Sequence, residues 1–186
     1  MVDQIINEQR TPLPVTETAP RDELADVELS LLLEAVVRWS GYDFRDYAPA
    51  LIKRRVGERM RAENADTISG LQERVLHDRE ALRRLVFAMS GSSTRLFRAP
   101  EYFQAFRTKV VPFLRTYSFM RLWFPSSSTG EDVYSIAAIL FEEGLSERCM
   151  IYATDLSDIA LAQARAGSYV VPSIEDFAND YRLTGG

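Results

Sequence analysis

The stretch of sequence that decides the fold spans residues 119–155 and reads FMRLWFPSSSTGEDVYSIAAILFEEGLSERCMIYATD. It opens with a short, mostly apolar run, residues 119–124, of the kind that a buried parallel strand shows. Proline and small polar residues at positions 125–130 then end the run, which predicts a tight turn. A second apolar run at residues 150–154 predicts a second strand, and Asp155 falls at its carboxyl end.

An amphipathic helix is predicted between these two strands. Glu131 and Asp132 lie where the first turn of a helix favours negative charge, and Gly144 is a normal place for the helix to end. Between them, apolar residues repeat at helical spacing, at Val133, Ile136, Ala137, Leu140 and Phe141. Strand, turn, helix and strand form the first half of a nucleotide-binding βαβ unit, in which an acid after the second strand takes the ribose hydroxyls.

The spacing of the acid is consistent with such a unit. Asp155 lies about twenty-five residues beyond the turn, close to the roughly twenty that are expected. The turn itself lacks the glycine pattern G-x-G-x-x-G of dinucleotide-binding proteins. Spacing alone therefore leaves two interpretations open, a cofactor site and an ordinary strand-turn-helix.

Composition limits the classes of protein to which the chain can belong. Its 186 residues, 46% of them hydrophobic, suit one globular domain with a core or two small ones. No apolar run is long enough to insert into a membrane and the N-terminus lacks a signal-peptide core, so we expect a cytoplasmic protein. Cys149 and His77, each the single residue of its type, leave little material for disulfides, a metal site or Ser-His-Asp chemistry. A net charge of -5 argues against broad binding of nucleic acid.

The N-terminal half is predicted to be helical. Residues 1–22 suggest a flexible tail and residues 23–90 a helical domain, followed by a linker, 91–118, and the βαβ region, 119–186. Helices are expected to start after a cap at Asp22 and again near residues 49, 68 and 79. The first should bury Leu24, Val27, Leu31, Leu32, Ala35, Val36 and Trp39, and a linker helix over 101–117 should bury Phe103, Phe106, Val110, Val111, Phe113 and Leu114.

The second of these helices is basic although the protein is acidic. It carries Lys53, Arg54, Arg55, Arg59 and Arg61 against Glu58 alone. One interpretation is a solvated surface whose cations pair with acids of neighbouring helices. The other is a docking face for an acidic partner, because the like charges at Arg55 and Arg59 share a face and repel by a few tenths of a kcal/mol.

Three motifs resemble, in order and spacing, the family of chemotaxis-receptor methyltransferases. They are SSTRLFRAPEYF at residues 92–103, STGEDVYSIA at 128–137 with Trp123 before it, and IYATDL at 151–156. The resemblance implies an all-helical N-terminal domain followed by the first part of a Rossmann-like domain that binds S-adenosylmethionine and releases S-adenosylhomocysteine. It also implies O-methylation of glutamate side chains on the cytoplasmic helices of chemoreceptors, with the basic residues Lys53, Arg54, Arg55 and Arg59 as the partner-binding surface.

The same resemblance assigns site residues. Cofactor contacts are expected at Ser92, Thr94, Arg98, Ser126, Gly130, Glu131 and Asp155, with Arg98 also as the catalytic residue. The planar fork of Arg98 suits a carboxylate, although a salt bridge between domains is an alternative role for it. No base is needed, because a glutamate is already anionic at neutral pH.

Two positions depart from the family pattern within the motifs. Ser126 stands where the family has a glycine, and Ser92 stands where it has an asparagine. If position 126 requires a positive φ, a serine there costs on the order of 1 kcal/mol and its side chain intrudes on the cofactor.

A third departure concerns extent. Only two of the expected strands can be located, and residues 181–186 look like a connector inside a domain. We therefore expect a fragment or truncated form of a methyltransferase, with weak cofactor binding or none. The alternative function is a non-catalytic binding module that docks on a receptor or signalling partner through its basic helix.

Overall fold

The N-terminal part of the computed structural model is a four-helix unit. The structure describes residues 21–91, 95–171 and 173–186. The helices are α1 Arg21–Ser40, α2 Pro49–Glu63, α3 Ile68–His77 and α4 Arg79–Ser90. Asp78 separates the last two by accepting a hydrogen bond from the backbone N–H of Glu80, and Thr67 caps α3 in the same way through Gly70. The core between these helices consists of Leu29, Leu32, Val36, Phe44, Ile52, Val56, Leu71, Val75, Leu85, Val86 and Met89.

Helix α1 buries a narrower face than the sequence predicts. Leu32 and Val36 are buried as expected, and Leu29 joins them. The predictions for Leu24, Val27, Leu31 and Trp39 were wrong, since each of these side chains is more than half exposed. Asp22 is not the cap, because the helix already begins at Arg21. Of the predicted flexible tail, residues 21 and 22 therefore belong to α1, and residues 1–20 lie outside the described part of the chain.

The linker helix is interrupted by a wider turn. Helix α5, Pro100–Ala105, continues into a π-helical turn, Phe106–Val110, and then into α6, Val111–Leu114. The N–H of Val111 accordingly bonds to the carbonyl of Phe106, five residues back. A proline at position 112 has no N–H and crowds the carbonyl four residues before it, which favours such an irregularity. The extra residue in the turn shifts the helical phase, so Val110 and Phe113 face solvent and the prediction that they are buried was wrong.

The C-terminal part is built on two parallel strands. Strand β1, Met120–Phe124, pairs with β2, Cys149–Ala153, in a register that places Leu122 opposite Ile151. Helix α7, Glu131–Glu142, and a short 3-10 turn, Ser146–Arg148, connect them, and α8, Asp158–Ala166, and α9, Ile174–Leu183, follow. The predicted connector at 181–186 was therefore wrong for its first three residues, which end α9. A second core holds Phe97, Phe103, Phe106, Val111, Met120, Ile136, Ile139, Leu140 and Leu145.

An ion pair and a hydrogen bond are among the contacts that join the helical unit to the C-terminal part. Arg83 of α4 forms an ion pair with Asp158 of α8, with 2.8 Å between Nε and Oδ2. The hydroxyl of Ser128, in the turn after β1, donates to the carbonyl oxygen of Gly91 at 2.8 Å. The turn after β1 is thus tied to the end of the helical unit as well as to the sheet.

The same turn packs closely against α8 at its glycine. Gly130, the residue before α7, has a φ of +95°. A Cβ at this position would lie 2.8 Å from the hydroxyl oxygen of Tyr169 and 2.9 Å from Cβ of Ala164. Both the backbone conformation and the space available therefore require glycine here.

Substitution of this glycine should destabilise the fold through both effects. Gly130→Ala is expected to lower the free energy of unfolding by about 2–4 kcal/mol, as the sum of a left-handed backbone and overpacking. Gly144→Ala is the matched control, because Gly144 also has a positive φ, +67°, but a Cβ added there would have nothing within 4 Å. It should cost only about 1 kcal/mol. Urea denaturation measures both changes, and equal losses would contradict the role of close packing at Gly130.

Candidate functional site

Asp155 connects the two loops at the carboxyl ends of the strands. Its Oδ2 accepts a hydrogen bond from the backbone N–H of Ser128, at 2.8 Å, and its Oδ1 accepts one from that of Ser157, at 2.9 Å. Each carboxylate oxygen has two lone pairs, so both can accept a further bond from a ligand hydroxyl. This carboxylate lies where open α/β sheets bind their ligands, beyond the carboxyl ends of the strands.

The strained residue of the turn after β1 is Ser128. Its φ is +49°, whereas Ser126 is not among the residues with a positive φ. Position 126 therefore does not have the positive φ that would make a serine there costly. Two hydrogen bonds offset the cost of the left-handed conformation at Ser128, one from its N–H to Asp155 and one from its hydroxyl to Gly91.

Glu131 is a buried carboxylate at the start of α7. It is 7% exposed, and its Oε2 accepts a hydrogen bond from the hydroxyl of Thr129 at 2.5 Å. The N-terminus of the helix favours this negative charge. Glu131 and Thr129 line a cavity of about 440 Å³ that lies between the linker, α7 and the segment from α8 to α9. Arg95 and Asp180, which also line it, form an ion pair at 3.1 Å.

A tyrosine that the sequence did not single out closes one wall of this cavity. The hydroxyl of Tyr169 donates to the carbonyl oxygen of Thr129 at 2.7 Å. Burial, and next the negative charge of Glu131, raise the pKa of Tyr169 to about 12. The phenol therefore keeps its proton at neutral pH and remains a donor. No periodicity or motif marks this residue, because its partner is forty positions away in the sequence.

Arg98 lies apart from this cavity. One of its guanidinium nitrogens, Nη2, is 3.0 Å from Oδ2 of Asp132 in α7, and about half of its side chain is exposed. It lines a separate depression with Ala99, Tyr102 and Phe103. Arg98 therefore forms an ion pair, but its partner lies in the same C-terminal part of the chain, so the pair is not the salt bridge between domains that the sequence offered as an alternative.

Only some of the seven residues assigned to the cofactor therefore lie close to the cavity. Glu131 lines the cavity, Gly130 packs against Ala164 of α8, and Asp155 is not among the residues that line the cavity. Ser126 belongs to the same turn as Gly130 without lining that cavity. Ser92 and Thr94 lie outside the described residues.

The basic residues of α2 are mostly paired within the chain. Nζ of Lys53 lies 2.5 Å from Oδ1 of Asp26, and Nη1 of Arg54 lies 2.7 Å from Oε1 of Glu58. Both cationic side chains nevertheless remain more than half exposed. Arg55, in contrast, donates to the carbonyl oxygen of Met89 at the end of α4.

Arg59 is the most enclosed of these cations. It is 3.2 Å from Glu63, and only 17% of its side chain is exposed. Hydrogen bonds from Arg84, and next the charges of Arg84 and Arg59, hold the pKa of the Glu63 carboxyl below its usual value against the effect of burial. Reversing the charges of Arg55 and Arg59 would therefore break contacts within the chain. In the part of the chain that the structure describes, no helix is both long and apolar enough to cross a membrane.

Comparison with known proteins places both halves of the chain in one family. The model of the all-alpha domain of CheR methyltransferases matches residues 27–90. The model of the S-adenosylmethionine-binding domain of CheR methyltransferases matches residues 92–183.

Relatives with curated names agree with these matches. The Cher3 protein of Pseudomonas putida is 44% identical over 161 residues, which cover 87% of this chain and 59% of that protein. Chemotaxis protein methyltransferase 1 of Pseudomonas aeruginosa and chemotaxis protein methyltransferase Cher2 of Pseudomonas putida are each 30% identical, over 64% of this chain and 47% of their own length. The chain thus spans about half the length of these relatives. It belongs to the CheR methyltransferase family, as an all-helical domain followed by part of the domain that takes S-adenosylmethionine as methyl donor.

Proposed function

We propose that this chain acts in the O-methylation of glutamate side chains on the cytoplasmic helices of a chemoreceptor. The observation that carries the proposal is the buried carboxylate of Glu131, which lines a cavity beside the turn that Asp155 holds. Two relatives that bear the name chemotaxis protein methyltransferase support methyl transfer in chemotaxis.

The residues of the site fit S-adenosylmethionine. The cofactor supplies a methyl group on a sulfonium centre, next to an ammonium, a carboxylate and two ribose hydroxyls. A buried carboxylate such as Glu131 suits the ammonium group, and the free lone pairs of Asp155 suit the ribose hydroxyls. The cavity volume of about 440 Å³ falls within the range of about 300–1,000 Å³ that is usual for ligand pockets.

The chain's own residues contribute chiefly by binding and orientation. Thr129 fixes the rotamer of Glu131 through its hydroxyl. Arg98 uses one of its five N–H donors on Asp132 and is half exposed, so it can also bind the carboxylate of an incoming glutamate. That glutamate needs no general base, since a carboxyl group with a pKa of about 4.3 is already ionised at neutral pH.

The acidic partner would meet the exposed part of α2. Lys53 and Arg54 keep more than half of their surface in solvent, and their partners Asp26 and Glu58 are exposed as well. Such pairs are weak, at about 0–1 kcal/mol, so an external carboxylate can compete for the cations. A glutamate-rich receptor surface has the charge that this exchange requires.

Cofactor binding tests the site directly. Three charged residues are assigned to the cofactor, Arg98, Glu131 and Asp155, and of these Glu131 alone lines the cavity. We therefore expect S-adenosylhomocysteine to bind weakly, with a dissociation constant above the low micromolar range. Glu131→Gln should weaken binding further by about tenfold or more through loss of a charge-assisted hydrogen bond. Glu147→Gln, an exposed change remote from the cavity, is the control and should have no effect. Calorimetry measures all three, and an unchanged affinity in Glu131→Gln would contradict the assignment.

Methyl transfer tests the reaction. Incubation of the chain with methyl-labelled S-adenosylmethionine and a chemoreceptor cytoplasmic fragment should give base-labile label, as carboxyl methyl esters require. A receptor fragment with its glutamates changed to alanine should remain unlabelled. Binding of the fragment without any label would instead favour the non-catalytic binding module.

Docking through α2 should depend on charge. Lys53→Glu combined with Arg54→Glu is expected to slow association with the receptor fragment, and raising the salt concentration should slow the native protein but have less effect on the variant. Lys109→Glu combined with Arg121→Glu changes the same residue types and the same net charge at exposed sites elsewhere. Association rates at two ionic strengths compare the three proteins. Equal rates in all of them would show that α2 is an ordinary solvated surface.

A further inference from the structure

Two tyrosines join α7 and the turn before it to the end of α8. The hydroxyl of Tyr134, in α7, donates to the carbonyl oxygen of Ala164 at 3.0 Å, and that of Tyr169 donates to the carbonyl oxygen of Thr129 at 2.7 Å. Their rings meet edge to face, with 5.5 Å between centroids. Each phenol thus makes one hydrogen bond to a backbone carbonyl, but only Tyr169 reaches the turn and lines the cavity.

Thr129 transmits the contact of Tyr169 to the carboxylate of Glu131. Its carbonyl accepts from Tyr169, and its hydroxyl donates to Oε2 of Glu131 at 2.5 Å. The next residue, Gly130, has a left-handed backbone that could adopt several other conformations. A bond to the carbonyl of Thr129 fixes the peptide plane between these two residues, and so restricts the backbone conformation on which the contact between Thr129 and Glu131 depends.

The donor role of Tyr169 persists across the working pH range. Its environment disfavours the phenolate, because the ring is partly buried and Glu131 is negatively charged. Among the residues that the structure describes, the carbonyl of Thr129, the carboxylate of Glu131 and the phenol of Tyr134 face the hydroxyl. Tyr169 therefore serves as a fixed hydrogen-bond donor and does not take up protons.

We propose that Tyr169 is a positioning residue of the cofactor site, which holds the turn at residues 127–131 so that the carboxylate of Glu131 meets the ammonium group of the methyl donor. The role toward the cofactor rests on the proposed function. The ordering of the turn does not, since it follows from contacts within this chain.

Tyr169→Phe tests the ordering of the turn without any ligand. It removes one phenol donor, and Tyr134→Phe is the matched control because it removes one as well. In Tyr169→Phe the backbone N–H groups of Ser128 and Gly130, which bond to Asp155 and Ser127, should exchange about threefold to tenfold faster by NMR-detected hydrogen exchange. Tyr134→Phe should leave both rates unchanged. Unchanged rates in Tyr169→Phe, or equal increases in both variants, would overturn the proposal.

Binding of two ligands then distinguishes a positioning role of Tyr169 from a general loss of order in the site. S-adenosylhomocysteine carries the amino-acid ammonium group, whereas 5′-methylthioadenosine lacks it. Tyr169→Phe should weaken the first about threefold to tenfold and leave the second unchanged in calorimetry. An equal loss of affinity for both ligands would overturn the proposal that Tyr169 acts through Glu131. A native protein that binds S-adenosylhomocysteine no better than 5′-methylthioadenosine would contradict the proposed cofactor assignment, while the exchange rates would still decide whether Tyr169 orders the turn.

Discussion

The site depends on one carboxylate that accepts backbone hydrogen bonds from two loops at once. Asp155 follows β2, yet it holds the N–H of Ser128 in the turn after β1 as well as that of Ser157 in its own loop. Parallel strands bring their carboxyl ends to one edge, so a single acid there can order both connections. The turn ordered in this way then fixes the positions of Thr129, Gly130 and Glu131. A ligand that uses Asp155 meets a carboxylate whose orientation is already set, which reduces the entropy lost on binding.

The sequence predicts both strands and most of the helices, although not α9, because the signals of these elements are local. Apolar runs that end at proline, glycine and small polar residues locate β1 and β2 to within one residue of the observed bounds. The family resemblance, which the comparisons confirm, also extends over both halves of the chain. What the sequence does not predict depends on contacts between distant residues. Tyr169 bonds to a residue forty positions away, and the π-helical turn before Pro112 changes which residues of the linker helix face the core.

The sequence likewise does not predict which charges of α2 are paired, because several of their partners are distant in the sequence. The count of cations in the helix suggests a surface that attracts anions, but the structure pairs them across helices. Glu63 at the end of α2 accepts hydrogen bonds from Arg84 of α4 and lies close to Arg59, and the end of α4 accepts from Arg55. Two of the basic residues thus serve the packing of α2 against α4, whereas Lys53, Arg54 and Arg61 are exposed and accessible to a partner. The sequence shows how many cations a helix carries, but whether a partner can reach them depends on which helices pack beside it.

The ion pair between Arg98 and Asp132 has a consequence for the choice of acceptor. If Arg98 binds the group to be methylated through Nη2, that group replaces the carboxylate of Asp132, 3.0 Å away. A glutamate brings an equal charge, so the exchange is close to neutral in free energy, and the half-exposed pair is weak to begin with. A glutamine side chain is uncharged and would have to displace a full negative charge with a dipole. Asp132 would then compete with the incoming side chain for Arg98. This competition would make the site selective for ionised side chains over their amides, although no residue needs to contact the amide group.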